Sequence, residues 1–225
     1  STLILFCYGT TMSNDFHPVK YDPHPLRILH IGKYFPPHRG GMETFLRDLI
    51  IQQVHRGDEV LALVHSSERR LIDKTEHDPL GFTIRRCARW FTAIFSPISP
   101  FFGLSLYQEL KRFKPETIHC HLPNLSAFWL LLLPAASSIP WVIRWQSDVL
   151  PSQHSFGLRL FYIVYRQFER SLLSRCDEIL VSSPPYLSSS EPLRPFLSKC
   201  RIEPLFIDES RIPKKHLSTP KRGLT

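Results

Sequence analysis

Short apolar runs of strand length alternate with longer stretches whose apolar residues recur every three or four positions, about six times along the chain. LRILHIG is a short apolar run closed by a glycine, which suits a buried strand. Directly after it, Met42, Phe45, Leu46, Leu49, Ile50 and Val54 share one helical stripe, and Gly57 follows where a left-handed cap costs a glycine least. DEVLALVH and FTIRRCAR read as strands, and FFGLSLYQELKRF as a helix stopped by Pro115. ETIHCH is a strand with polar residues at its end, and NLSAFWLLLLPAA an apolar helix capped by Asn124. WVIRWQSD, GLRLFYIVYRQFERSLLSR, DEILVSS, PPYLSSS and CRIEPLF continue as strand, amphipathic helix, strand, short helix or turn, and last strand. Strands this continuously apolar are buried on both faces, as happens when helices join parallel strands. The pattern predicts an α/β domain with a Rossmann-like, doubly wound parallel sheet, whose ligands sit at the carboxyl ends of the strands.

The chain has 225 residues, 43% of them hydrophobic and 21% charged, enough for one well-buried core. Residues 1–25 read as a poorly ordered lead-in, because HPVKYDPHP has no apolar period. Residues 26–208 form the domain, and 209–225 a basic tail or the start of a linker. Five cysteines, odd in number and without a CxxC pair, argue against a disulfide scaffold or a zinc site and for a reducing, cytoplasmic compartment. The most apolar stretch, LSAFWLLLLPAASSIPWVI, is broken by Pro134 and Pro140, so no membrane-spanning helix is expected. The net charge of +8 suits anionic partners, such as a nucleotide sugar, a lipid phosphate, a membrane surface touched peripherally or nucleic acid, or else marks a solvated basic tail.

Four polar clusters fall at predicted strand ends. In GKYFPPHRGGMETF, Gly40 and Gly41 precede a helix, whose first amides and partial positive charge form an anion site suited to phosphate. The same pattern also serves as a plain turn, and it is neither a Walker loop nor GxGxxG. In HCHLPN, His119 and His121 alternate onto one strand face. A metal pair is conceivable there, but no third ligand stands at a recognisable spacing, so no metal is expected. In RWQSDVLPSQH, Asp148 could act as a base or bind sugar hydroxyls, or simply cap a loop, and Arg144 could balance phosphate charge. In RRCARWFTAIF, Arg85, Arg86 and Arg89 adjoin Trp90 and Phe91; an exposed, acceptor-side surface is expected and no nucleic-acid partner.

Taken together and in order, these segments resemble family 4 of the GT-B glycosyltransferases. GKYFPPHRGGMETF, FSPISPFF with ETIHCHLPNLSAFWLLLL, WVIRWQSDVL, CDEILVSSPPYLSSSEPL and KCRIEPLFID each resemble a family segment, over roughly residues 26 to 212. The resemblance implies the N-terminal, acceptor-side half of a two-domain GT-B fold and a retaining transfer of a sugar from a nucleotide-sugar donor to a glycan or lipid-linked acceptor, with no cofactor. By that resemblance Gly40 and Gly41 touch the donor phosphates, His121 and Asp148 are catalytic candidates, and His119, Arg144, Gln146 and Ser147 line the acceptor side.

Three departures accompany it. Gln146 stands where many relatives have histidine, and an amide is no general base near neutral pH. Phe206 stands where the linker motif has glycine, and no GPG-x-x-E segment follows. The expectation is therefore a truncated chain, inactive alone or dependent on a separate C-terminal domain. The alternative is a non-catalytic binding module of the same fold.

Overall fold

The computed structural model describes residues 24–93, 96–149 and 156–205. The predicted lead-in and tail lie almost wholly outside them, as does Phe206. The strands are β1 (Arg27–Ile31), β2 (Glu59–His65), β3 (Lys74–His77), β4 (Thr83–Cys87), β5 (Phe91–Ala93), β6 (Ser96–Ile98), β7 (Thr117–Leu122), β8 (Trp141–Trp145), β9 (Glu178–Val181) and β10 (Cys200–Ile202). The helices are α1 (Gly41–His55), α2 (Phe102–Arg112), α3 (Trp129–Leu132), α4 (Phe156–Arg175) and α5 (Pro184–Ser189).

Eight strands form one sheet in the order β10-β9-β8-β7-β1-β2-β4-β3, and every pair but β3–β4 is parallel. The Rossmann-like, doubly wound α/β architecture is therefore as expected, with an antiparallel edge added. KTEH carries no apolar residue to mark β3 as a strand. It pairs through a tight turn in which the Asp78 carboxylate accepts from the Leu80 amide and Gly81 adopts φ +102°, a conformation only glycine takes without strain. Charged residues on this edge discourage pairing with another chain.

Alternation along each strand divides the core. Leu29, Ile31, Leu63, Ile118, Cys120, Ile143 and Ile179 pack with Phe102 and Leu106 of α2 and Leu172 of α4 on one face. Ile28, Val60, Ala62, Val142 and Leu180 pack with Leu46 and Ile50 of α1 on the other. The Asn124 cap forms as predicted, its side chain accepting from the Ser126 amide at 3.1 Å. The helix after it does not run on. A 3-10 turn at Leu125–Phe128 leads into the four-residue α3. Leu133 is then extended, because a residue preceding proline is sterically barred from the helical region.

The chain moves from β1 to β2 on one side and arrives at β7 on the other, so the sheet's topological switch point lies between the carboxyl ends of β1 and β7.

Candidate functional site

The segment leaving β1 is tied down along its length. The Gly32 amide donates to the Leu63 carbonyl, and the Lys33 carbonyl accepts from the His65 amide. Arg86 of β4 donates to the Phe35 and Pro36 carbonyls at 3.3 and 2.6 Å and pairs with Glu76 at 3.0 Å. This fixes the approach to Gly40, which is extended, and to Gly41, where α1 starts. Neither glycine needs a left-handed backbone. What matters at Gly41 is space: a Cβ there would meet nothing within 4 Å. A Cβ at Gly40 would instead run into the Glu43 carboxylate. The first intrahelical bond runs from the Thr44 amide to the Gly40 carbonyl, so the amides of residues 41–43 have no carbonyl partner within the helix. Lys33 and Glu43 interact across this entrance, and burial holds the Lys33 ammonium below its ordinary pKa against the opposing pull of Glu43.

His119 and His121 share one sheet face, as the spacing predicted, but that face lies under α1 and both rings are at most 2% exposed. His30 of β1 is the register partner of His119 and completes a triangle of imidazoles. Its Nδ1 stands 3.1 Å from His121 Nε2, and its Nε2 2.7 Å from Gln53 Oε1 on α1. Burial lowers the pKa of all three, that of His30 to about 4, so the rings are neutral at physiological pH. The sequence left the HCH pair without a third ligand because His30 lies some ninety residues earlier; only the β1–β7 register brings it in.

Arg144 pairs with His121 across β7 and β8 and is 1% exposed. Its guanidinium donates to the Glu203 carbonyl at 2.8 Å, lies 3.8 Å from the Glu203 carboxylate, and covers the Phe45 ring at 4.7 Å. Burial raises the Glu203 carboxyl to about pKa 7, against the pull of Arg144. In this arrangement the arginine joins β8 to the segment after β10.

Past β8 the candidates separate. Ser147 is exposed. Gln146 bonds through its amide N–H to the Leu122 carbonyl, while its side-chain oxygen and nitrogen are buried with no hydrogen-bond partner among the described residues. Asp148 is a clasp: its Oδ1 accepts from Trp145 Nε1 at 2.8 Å, Tyr186 hydroxyl at 2.7 Å and Ser190 hydroxyl at 2.8 Å. Burial and the Asp148 anion push the Tyr186 phenol up to about 12.

The arginines of the fourth cluster are spent internally. Arg85 bonds Asp73, Gln108 and Glu109, and Arg89 bonds the Ser67 carbonyl and the Thr92 hydroxyl. Trp90 and Phe91 beside them are exposed. Among the described residues no helix is long and apolar enough to cross a membrane.

Sequence reasoning missed Lys33, Glu43, Glu203 and His30, and placed Arg86 on an exposed surface rather than on the Phe35 and Pro36 carbonyls. Each acts through a partner distant in sequence or through a backbone carbonyl, and neither leaves a local motif.

The family model described as Glycosyltransferase Family 4 matches residues 39–210. The chain is 24% identical over 187 residues to O-antigen chain mannosyltransferase C of Escherichia coli, covering 82% of this chain and 47% of that protein. A sucrose-phosphate synthase from Thermosynechococcus elongatus superposes with a TM-score of 0.59 at 18% identity, over 80% of this chain and 48% of its own. The catalytic domain of starch synthase IV from Arabidopsis thaliana, bound to ADP and acarbose, superposes with a TM-score of 0.53 at 12% identity, over 83% and 53%. The chain thus spans about half the length of the relatives it matches.

Proposed function

Because the chain belongs to Glycosyltransferase Family 4, we propose that it forms the acceptor-side half of a GT-B transferase. That enzyme passes a hexosyl group, with retention at the anomeric carbon, from a nucleotide sugar to a hydroxyl of a glycan or lipid-linked acceptor. The observation that carries this reading is the start of α1. Three amides without intrahelical partners stand at the switch point of the sheet, behind a glycine whose front is open. As the sugar leaves, negative charge accumulates on the diphosphate, and fixed amide dipoles, helped by the half-buried Lys33 ammonium, stabilise it without reorganising.

The remaining candidates divide by reach. We assign Gln146 and Ser147, which directly follow β8, to the acceptor side. His119, His121, Arg144 and Asp148 act as positioning residues: the first three are buried beneath α1 and support it, and Asp148 fixes the loop that carries Ser147. The opposing donor contacts come from a second GT-B domain, in the same polypeptide or a separate one.

Titrating the 15N-labelled chain with GDP, UDP and ADP and their sugar conjugates tests this. The amides of Gly40, Gly41, Met42 and Glu43 should shift with at least one of them, and Gly41→Trp should abolish the response. Shifts confined to other residues, or none with any nucleotide, would overturn the assignment. The mannosyltransferase relative makes GDP-mannose the first conjugate to try. Gln146, which cannot serve as a base, favours one second reading, a binding module without turnover. It predicts the same amide shifts with no transfer when a C-terminal family 4 domain is supplied.

A further inference from the structure

We propose that His30, His119 and His121 bind one divalent transition-metal ion of the zinc class, held between β1 and β7 beneath α1. The donor chemistry selects the metal. Three imidazoles with no carboxylate among them suit zinc, nickel, cobalt or copper and disfavour magnesium and calcium, which take oxygen.

The geometry is close to what such an ion requires. A tetrahedral zinc with Zn–N of about 2.0–2.1 Å sets its ligand nitrogens about 3.3 Å apart and the ring centroids about 5.2 Å apart. The three centroid separations here are 5.0, 5.4 and 4.9 Å. His30 Nδ1 and His121 Nε2 already stand 3.1 Å apart, and all three candidate ligand atoms lie within 4.8 Å of one another. Closing the set asks the His119 nitrogen to approach by at most about 1.5 Å, within reach of ring rotation on a fixed strand.

The surroundings orient His30. The Gln53 amide oxygen, 2.7 Å from His30 Nε2, accepts the proton there and turns the Nδ1 lone pair toward His121. A metal-bound imidazole is held in this way, its second nitrogen donating to a carbonyl. The register fixes the rest: His30 lies opposite His119, and His121 is two residues further on the same face. One charge opposes the ion. Arg144 is the strand neighbour of His121, but its guanidinium is turned to the Glu203 carbonyl and carboxylate and to the Phe45 ring. Three neutral ligands beside a partly offset cation should bind less tightly than a thiolate-rich site, and they leave a fourth position for water or another ligand.

The test uses the full chain after chelation and gel filtration, titrated with Co2+ followed by visible absorption and with Zn2+ by calorimetry. One equivalent should bind, with the intense visible bands of tetrahedral cobalt and no near-ultraviolet thiolate transition. His30→Gln and His119→Gln should each weaken binding at least 10-fold, Gln53→Leu should weaken it 10- to 100-fold as an orienting partner, and the exposed pair His55→Gln with His77→Gln should change nothing. Should the buried variants fail to fold, X-ray absorption on the zinc-loaded wild type decides: a first shell with three imidazoles supports the site. A first shell of sulfur, an all-oxygen shell, no binding of either ion, or undiminished binding in folded His30→Gln and His119→Gln overturns it.

Discussion

Asp148 can be tested as a clasp by removing its carboxylate in two ways. Three donors converge on Oδ1: the Trp145 indole N–H, the Tyr186 hydroxyl and the Ser190 hydroxyl. Trp145 and Ser190 are buried, at 1% and 0% exposure, while Tyr186 is half-buried. In Asp148→Ala the tyrosine regains water, but the other two donors lose their acceptor where water does not reach. Each orphaned buried donor costs about 1–3 kcal/mol, so the substitution should destabilise the chain by roughly 3–5 kcal/mol. At about 2–4 °C per kcal/mol for a chain of this size, the melting temperature should fall by about 10 °C. Asp148→Asn keeps an acceptor oxygen and loses only the charge, so its cost should be about 1–2 kcal/mol. Equilibrium urea unfolding reads both, and a double-mutant cycle with Tyr186→Phe should return a coupling of about 1 kcal/mol or more. If Asp148→Ala unfolds within about 0.5 kcal/mol of the parent, the clasp carries no stability and the carboxylate is free for chemistry.

Other expectations can be checked by similar means. Between pH 4.5 and about 7 the folded Glu203 carboxyl keeps a proton that the unfolded chain has released, so this group lowers stability as pH rises through that window and adds nothing further above it. Glu203→Gln removes that term, so the variant should gain on the parent by on the order of 3 kcal/mol between pH 4 and pH 8 in urea titrations; a pH-independent difference would refute the buried-acid account. Glu43→Gln removes a carboxylate beside the proposed phosphate site and should tighten nucleoside-diphosphate binding about 3-fold or more by calorimetry, the effect of one like charge about 6 Å away in water. A Cβ at Gly103 would stand 2.5 Å from the Trp129 ring, so Gly103→Val should destabilise α2 against α3 by roughly 1–3 kcal/mol in thermal unfolding.

The strands and helices were legible because burial on both sheet faces leaves uninterrupted apolar runs, and because α1 shows its stripe in Phe45, Leu46, Leu49 and Ile50. The antiparallel β3 was not, since an exposed edge needs no apolar residue and is held by backbone bonds and by polar side-chain pairs such as Arg86–Glu76. The glycine pair was legible as a loop between strand and helix, but its surroundings were not. That Glu43 folds back over Gly40, and that Arg86 grips the Phe35 and Pro36 carbonyls, depends on side chains and backbone brought together by the fold. Asp148 was read with both a catalytic and a capping role open; its bonds to Tyr186 and Ser190, some forty residues on, give it a structural role that spacing did not reveal.

One helix joins the two proposed sites. The amides that open α1 form the proposed phosphate site, and Phe45, one turn later, covers His121 and Arg144. Gln53, about 18 Å along the axis from Gly41 at about 1.5 Å per residue, holds His30 from above. The helix therefore rests on a polar floor in a sheet otherwise lined with aliphatic side chains, and its inner face is anchored by directional bonds as well as by packing. Hydrogen bonds of that kind fix rotation about the helix axis, which aliphatic contacts alone leave softer, and the rotation decides where the first-turn amides point. Weakening the Gln53–His30 bond should then disturb phosphate recognition at the far end of α1 with little change in the aliphatic core. Gln53→Leu combined with the nucleotide titration measures this. Unchanged nucleotide affinity and unchanged shifts at residues 41–43 would show that the floor and the cleft are independent.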